Sequence, residues 1–533
     1  MAQRHISLLY PEGCTQGTPV RISEQVCREI GLTGMFELKN SRLPDYFTTE
    51  PAVIEYRQQT LGDMMRLPPL GETLRAVLPV LCDILELRRL ERDGASSTGE
   101  SYLYSITEIE LYIRCIDTLY GGLAPVKGQV TSAAFRALGD FVSELAESAY
   151  YRELNAQLKQ LSARMLEVRS ITVGVNLDTQ MRPYEAGVIS VNADTFKSGK
   201  VLDKILRFSF RNDAMTCIAA LSPVGRGQSS NQAEALNSAF YAALEEVFRG
   251  SVKSWRSIVG AYVLENTDFL LKILPEIEFV TRAVALQQRL LDKGYTLCLP
   301  VMRPMAEKGF TAKQLYNPDV ALRIEAEMVG NDFAFDEQGR IFVLTGPNRG
   351  GKSVHTCAVG LGQAMAQLGL PVPAESAEIS PVDGIYTHFP QGADDTIDKG
   401  RLGEECVRLR QIFEQVTENS LVLLDESLSS TGAFEAAYIA AEVLAGFGLA
   451  RCRGVFSTHL HELAAAVPAI NEKSLEGGGV QVDTMVAAIE AGQRSFKIVR
   501  AKPVGKSYAE DIAKKYGLGV EDIRTLIDRK TPR

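Results

Sequence analysis

The stretch IFVLTGPNRGGKSVHTC, residues 341–357, decides how the rest of the chain is read. Ile341 to Leu344 is a short, continuous apolar run, the pattern of a strand buried on both faces. Gly346-Pro347-Asn348-Arg349-Gly350-Gly351-Lys352-Ser353 follows, and after it an apolar run of helical character that begins at Val354. Strand, glycine-rich turn and helix, in that order, are the context in which a phosphate-binding loop works. The glycines let successive backbone N–H groups turn inward around phosphate oxygens, and the helix N-terminus adds a favourable dipole. In such a loop Lys352 reaches the β- and γ-phosphates and the Ser353 hydroxyl holds Mg2+. A glycine-rich turn can match the pattern by chance, so the reading depends on what lies downstream.

Two further stretches bear on it. Leu421-Val422-Leu423-Leu424-Asp425-Glu426 reads as a buried strand ending in two carboxylates. In a phosphate-loop ATPase the first carboxylate helps to hold Mg2+, usually through water, and the second orients and deprotonates the attacking water. Asp425 is thus the expected magnesium-shell residue and Glu426 the expected general base. Later comes Gly454-Val455-Phe456-Ser457-Thr458-His459, a strand ending in histidine. A neutral imidazole there can hydrogen-bond the γ-phosphate or the attacking water. His459 follows the strand directly, whereas His461 is expected to point away along the next helix. A helix cap would explain either histidine alone, and each motif alone is common. The three together, in this order, leave chance little room.

A chain of 533 residues exceeds one ordinary domain, so two or three are expected. Its 45% hydrophobic and 23% charged content is that of a soluble globular protein, and no apolar run reaches membrane-spanning length. The opening MAQRHISLLYPEG lacks the apolar core and cleavage site of a signal peptide. Nine cysteines, with no C-x-x-C pair, fit a reducing cytoplasm better than a disulfide framework or a zinc site. A net charge of −9 does not favour nucleic acid as a partner, though a local basic surface can bind phosphate on an acidic protein.

Along the chain, residues 1–40 read as a leader with a weak helix over Ser23 to Ile30 and no assignable chemistry. From Glu50 the pattern turns helical in PAVIEYRQQTLGDMMRL and LRAVLPVLCDILELRRLER, breaks at GASSTG, and resumes in SITEIELYIRCIDTLYGGL. One long helix is expected from Ser132 to Val168, with Phe135, Leu138, Phe141, Leu145, Leu154, Leu158, Leu161 and Leu166 as its packing stripe. RSITVGVNLDTQMRPYEAGVISVN then alternates and is rich in β-branched residues, the pattern of a hairpin with its turn near Asp178 to Tyr184. Lys197, Lys200, Lys204, Arg207 and Arg211 follow, mixed with Asp194, Asp203 and Asp213. They form either a solvated mixed-charge face or a surface for nucleic acid. Helices resume at Ser229 and run, with interruptions, to Lys293. From Tyr295 the strands TLCLPVM, DFAFDE, RIFVLTG, SLVLLDE and GVFSTH alternate with helices, which suggests a parallel sheet covered on both faces.

T-G-P-N-R-G-G-K-S, L-V-L-L-D-E and F-S-T-H-L-H-E-L together resemble the ATPase domain of the MutS family, itself similar to ABC-type ATPases. The Asn348 of G-P-N is particular to that family. PVPAESAEISPVDGIYTHF, Asn331-Asp332 and KSYAEDIAKKYGL resemble other segments of the same domain, and EPAVIEYRQQTLGDMM and LPEIEFVTRAVAL resemble the family's helical lever. The resemblance covers residues 45–525. It implies a multidomain α plus α/β fold: leader 1–40, helical lever/core domain 41–294 with a reduced, clamp-like β insertion over 170–215, and an ABC-type P-loop ATPase domain 295–533 closing in a helical segment. It also implies ATP and Mg2+ as cofactors. The nucleotide would be held by Gly346, Pro347, Asn348, Arg349, Gly350, Gly351, Lys352, Ser353, Val354 and Asp425, the metal by Ser353 and Asp425, and hydrolysis would use Glu426 and His459.

The sequence departs from the family pattern at several points. Arg349 stands where Met is frequent, and DESLSSTGAFE replaces D-E-x-G-R-G-T-S. The signature segment GADDTIDKGRLGEE keeps Gly400 and Arg401 but carries Leu402 and Gly403 where Ser and Thr are usual. In the family this segment reaches across a dimer to the partner's γ-phosphate, so a homodimer with composite sites is expected, with the Gly403 N–H in place of a hydroxyl. Mismatch-reading, connector and nuclease modules are not expected, and Phe36-Glu37 has the wrong spacing for a mismatch wedge. Two functions follow. One is a cytoplasmic, nucleoid-associated ATPase that engages branched or distorted DNA through backbone contacts from Lys197, Lys200, Lys204, Arg207 and Arg211. The other is a structural or signalling ATPase of the same fold that has lost DNA binding. Neither requires a membrane.

Overall fold

The computed structural model describes residues 6–14, 18–93, 98–167, 170–192, 222–223, 239, 242, 246, 268–390, 400–490, 493–502 and 516–528. By internal contacts they form two compact units, Ile6–Leu8 with Asp63–Thr281, and Leu9–Gly62 with Arg282–Arg533. The divisions at 62/63 and 281/282 fall within helices, and they differ from the expected boundaries at 40/41 and 294/295. From Leu9 onward the described part of the leader belongs with the α/β elements, whereas Ile6–Leu8 belong with the helical unit.

The first unit is mainly helical. The helices Pro68–Asp93 and Thr98–Leu123 pack along each other, with the Arg88 guanidinium joined to Glu108 at 3.0 Å and to Asp268 at 2.6 Å. The single helix expected from Ser132 to Val168 is in fact two, Ala133–Ala146 and Ala149–Glu167. Ser148 breaks it: its Oγ accepts from the Tyr151 N–H at 3.1 Å, starting a second helix. The apolar spacing carries across the break, and Leu145 and Leu154 on either side are both buried, so periodicity alone does not reveal it. Strands β1 (Ser170–Leu177) and β2 (Pro183–Asn192) form the expected antiparallel hairpin, and β3 (Ser222–Pro223) pairs beside Glu185 and Ala186. Asp178 Oδ1 closes its turn by accepting from the N–H groups of Gln180 and Arg182. Lys197, Lys200, Lys204, Arg207 and Arg211 lie outside the described residues.

The second unit holds β4 (Val301–Met302), β5 (Phe310–Leu315), β6 (Asn331–Phe335), β7 (Ile341–Thr345), β8 (Ser376–Ile379), β9 (Ile385–His388), β10 (Leu421–Asp425), β11 (Arg453–Ser457), β12 (Val482–Glu490) and β13 (Gln493–Arg500). Six of them make one sheet in the order β13-β12-β7-β11-β10-β9, parallel throughout except for β13. β7 is buried at every position, as its unbroken apolar run requires. DFAFDE does not join this sheet. Its residues alternate, with Asn331, Phe333 and Phe335 inward, and as β6 it pairs antiparallel with β5 in a second sheet of order β4-β8-β5-β6. Of TLCLPVM only Val301–Met302 is strand, beside a single bridge from Cys298 to Val372.

Helices cover both faces of the larger sheet. Val343, Val422, Leu424 and Phe456 share a core with Ala440, Leu444 and Phe447 of the helix Ala433–Leu449. On the other face lies the loop helix, Lys352–Leu368, which approaches so closely that a Cβ on Gly360 would sit 2.5 Å from Leu423 Cδ1. Ile30 of the leader packs on that same glycine.

Candidate nucleotide site

Between β7 and the loop helix the backbone makes a tight bend that few side chains tolerate. Gly346 has φ +139° and Gly351 φ +92°, with Arg349 between them at φ +60°. A Cβ on Gly346 would lie 2.8 Å from the Ala487 Cβ, and one on Gly350 would lie 2.8 Å from the Pro347 carbonyl oxygen. Lys352 opens the helix and folds back over the bend, its Nζ donating to the carbonyls of Gly346 at 3.1 Å and Pro347 at 3.2 Å. Burial lowers the affinity of this ammonium for its proton, while the Glu426 and Asp425 carboxylates pull the other way.

Ser353 and Asp425 meet beside it, Ser353 Oγ donating to Asp425 Oδ1 at 2.9 Å. Ser457 Oγ donates to the same carboxylate oxygen, so the ends of β10 and β11 and the helix start are tied at one atom. Burial raises the Asp425 pKa against the lowering effect of these hydroxyls. A serine hydroxyl and a carboxylate are hard oxygen donors, the set that suits Mg2+ bound by one or two side chains and by phosphate. Glu426 follows with φ +44°, fixed by its N–H to the Ser457 carbonyl at 2.8 Å. Among the described residues there is no cluster of three or more His, Cys, Asp or Glu placed to hold a metal.

Arg349, Lys352, Ser353 and Glu426 are polar residues lining a cavity of about 430 Å³. Val320, Ile324, Met328 and Val329 are among its apolar lining residues. Two asparagines frame it. Asn317 caps the helix Pro318–Arg323 and donates to the Val354 carbonyl at 3.2 Å, holding the apolar wall to the loop helix. Asn331 donates to the Phe496 carbonyl at 3.2 Å and accepts from the Ile498 N–H at 2.7 Å, which fixes Phe496 at φ +57° on the cavity's rim. The neighbouring Asp332 turns outward and accepts from Gln314 instead.

The remaining expected residues are placed as follows. Asn348 is exposed, and Arg349 is exposed yet lines the cavity. His459 is exposed and does not line it; His461 is also exposed, as the first residue of the helix His461–Ala465. Gly400 begins the helix Gly400–Phe413, with Arg401 and Gly403 in its first turn. Two histidines escaped the sequence reading. His355 is buried in the cavity wall with its ring edge-on to Phe333, and burial pushes its pKa down to about 4. His388 closes β9 and is also buried. No motif marks either one, and both sit where apolar residues would pass unremarked.

The geometry can be set beside known proteins. Residues 342–526 match the family model described as MutS domain V, and residues 49–293 match the one described as MutS2 N-terminal domain. The chain belongs to the MutS family. Over 271 residues this MutS-family chain is 30% identical to a DNA mismatch repair protein MutS of Prochlorococcus marinus, covering 49% of this chain and 28% of that one. It is 32% identical over 226 residues to an Endonuclease MutS2 of Thermus thermophilus, covering 42% of this chain and 29% of the relative. A MutS of Chloroflexus aurantiacus is 33% identical over 233 residues, 42% of this chain and 23% of its own length. The chain thus spans less than a third of the length of these relatives. The domain V match begins inside β7 and takes in Gly346 to Ser353, Asp425 and Glu426.

Proposed function

We propose that this chain is a Mg2+-dependent ATPase, converting ATP and water to ADP and phosphate, and that it works as a homodimer which couples nucleotide state to engagement of DNA. The observation that carries the hydrolytic half is the convergence of Lys352, Ser353, Asp425 and Glu426 from one strand end and one helix start, with Lys352, Ser353 and Glu426 lining one cavity. Lys352 and the loop's N–H groups hold the β- and γ-phosphates. Ser353 and Asp425 hold Mg2+, which withdraws charge from those phosphates. Glu426 orients the attacking water and takes its proton. The apolar lining of the cavity, Val320, Ile324, Met328, Val329 and Phe496, takes the base.

DNA engagement rests on family membership and on the basic residues after the hairpin. Branched or distorted DNA, recognised through its backbone, is the proposed ligand. The helix starting at Gly400 is the proposed contact to the partner's nucleotide, and the compartment is the cytoplasm; no described helix is long and apolar enough to cross a membrane. A second reading, an ATPase of this fold without DNA binding, is favoured by the net charge of −9. Phosphate release with and without Mg2+, and binding of a four-way junction at several salt concentrations with ATP, ADP or no nucleotide, test both. Hydrolysis with salt-sensitive binding supports the first reading. Hydrolysis with no binding at low salt selects the second, and no hydrolysis in any condition removes both.

A further inference from the structure

His388 lies one residue-step from the chemistry without touching the cavity. β9 runs parallel to β10, with His388 paired in register to Leu424, just before Asp425. Its ring is 1% exposed, and each nitrogen has one neighbour: Nδ1 is 2.8 Å from Ser427 Oγ, and Nε2 is 3.2 Å from the Glu405 carbonyl oxygen. A carbonyl only accepts, so Nε2 carries the proton. Burial and the nearby Arg408 guanidinium keep the ring neutral, its pKa pushed down to about 4. A neutral ring protonated at Nε2 has a bare Nδ1, which accepts the Ser427 hydroxyl proton. The His388 carbonyl, 2.9 Å from the same hydroxyl, is a second acceptor on the same residue.

Ser427 stands between Glu426 at φ +44° and Leu428 at φ +64°. Two non-glycine residues in the left-handed region persist only where their surroundings determine them. Glu405, on the ring's other side, belongs to the helix Gly400–Phe413, and Arg408 of that helix donates to the Phe389 carbonyl through both terminal nitrogens at 3.3 Å. One buried ring therefore joins the strained turn that presents Glu426 to the helix whose first turn carries Gly400, Arg401 and Gly403.

We propose that His388 is a positioning residue for hydrolysis: it holds the Glu426 turn through Ser427, while its bond to the Glu405 carbonyl sets the tautomer that leaves Nδ1 as the acceptor. The inference rests on the ATPase reading above. It predicts a loss in turnover without a matching loss in nucleotide binding, because His388 does not line the cavity.

The two contacts separate by side-chain length. In His388→Asn the amide overlays Nδ1 and retains the Ser427 bond; in His388→Gln it overlays Nε2 and retains only the Glu405 bond. Steady-state ATP hydrolysis and ATP affinity are measured on the full chain, with thermal melting to confirm folding. Expected are kcat values lowered roughly ten- to a hundredfold in His388→Ala, His388→Gln and Ser427→Ala, with ATP affinity within about twofold of the unaltered protein. His388→Asn should recover most of the rate. Unchanged kcat in folded Ser427→Ala, or kcat in His388→Asn no better than in His388→Gln, overturns the inference while the unaltered protein still hydrolyses ATP. If His388→Ala does not fold, Ser427→Ala and His388→Asn still decide it. Absence of turnover in the unaltered protein overturns the ATPase reading and this inference with it.

Discussion

Ser353 and Asp425, 72 residues apart in sequence, share a hydrogen bond of 2.9 Å where the loop helix meets the end of β10. In the proposed ATPase the pair would supply the side-chain oxygens for one divalent ion, and neither residue would complete the site alone. Asp425→Ala should therefore lose most Mg2+-stimulated hydrolysis, and chelation should abolish turnover in the unaltered protein. A magnesium titration of phosphate release checks this; full turnover in excess chelator would remove the metal from the mechanism.

Lys352 is held over the glycine bend by two carbonyls, so its charge is in place before any phosphate arrives. Lys352→Ala removes a charge-assisted contact worth about 1.5–3 kcal/mol, roughly ten- to a hundredfold in ATP affinity. Calorimetric titration of nucleotide reads it directly, and an unchanged Kd would exclude Lys352 from the phosphate site.

Glu426 projects from a turn that its own N–H and Ser457 fix, so changing its side chain leaves the frame standing. Glu426→Gln keeps shape and loses the base. ATP should still bind, and turnover should fall by about 10²–10⁴. Single-turnover kinetics with bound ATP separate the two effects. Normal hydrolysis would take Glu426 out of its role.

Acid stability gives an independent check on the helical unit. Asp63 is 1% exposed, and burial alone would raise its pKa. Hydrogen bonds from Ser132, Thr131 and Arg66 outweigh burial and bring it from 3.8 to about 2. A carboxylate with a depressed folded pKa stabilises fully above the unfolded value, and the gain disappears as pH falls from about 4 to about 2. The shift corresponds to roughly 2 kcal/mol. Asp63→Asn should be destabilised by about that much at pH 7 and approach the parent near pH 2. Urea unfolding across that range measures it, and a gap that stays constant with pH would show that Asp63 contributes by packing alone.

The DNA proposal turns on Lys197, Lys200 and Lys204. Phosphate contacts carry no direct sequence information, and each adds about 0.9 to the salt slope on duplex DNA. Changing the three together to Ala should flatten the salt dependence and leave basal ATP hydrolysis intact. A triple variant that binds like the parent would place the clamp elsewhere.

The loop and its neighbours were legible because their chemistry is written locally. A short apolar run before a glycine-rich turn reads as a doubly buried strand, and glycines at 346 and 351 are the residues that accept the bend found there. Asp425 and Glu426 were readable as the end of such a run. What could not be read was pairing. β6 looks like any short strand, and only its alternation, with three aromatic or amide residues inward, sends it to the second sheet. The break at Ser148 hides inside an unbroken apolar phase. His388 is invisible for a similar reason: its meaning lies in Ser427 and Glu405, which sequence distance separates and only the sheet brings together.

The larger sheet has one flank that an isolated α/β segment could not close. Beside β9, Arg21 accepts from the Ile385 N–H at 2.9 Å and donates its own N–H to the Asp383 carbonyl at 2.8 Å, while Glu29 takes the Thr387 hydroxyl. Residues 21 and 29 thus complete the flank of a strand more than three hundred positions further along the sequence. A fragment beginning at Tyr295 would present β9 with bare amides and carbonyls, the template on which other chains assemble. A fragment of the α/β portion intended for crystallisation or for expression alone should therefore carry residues 18–62 with it.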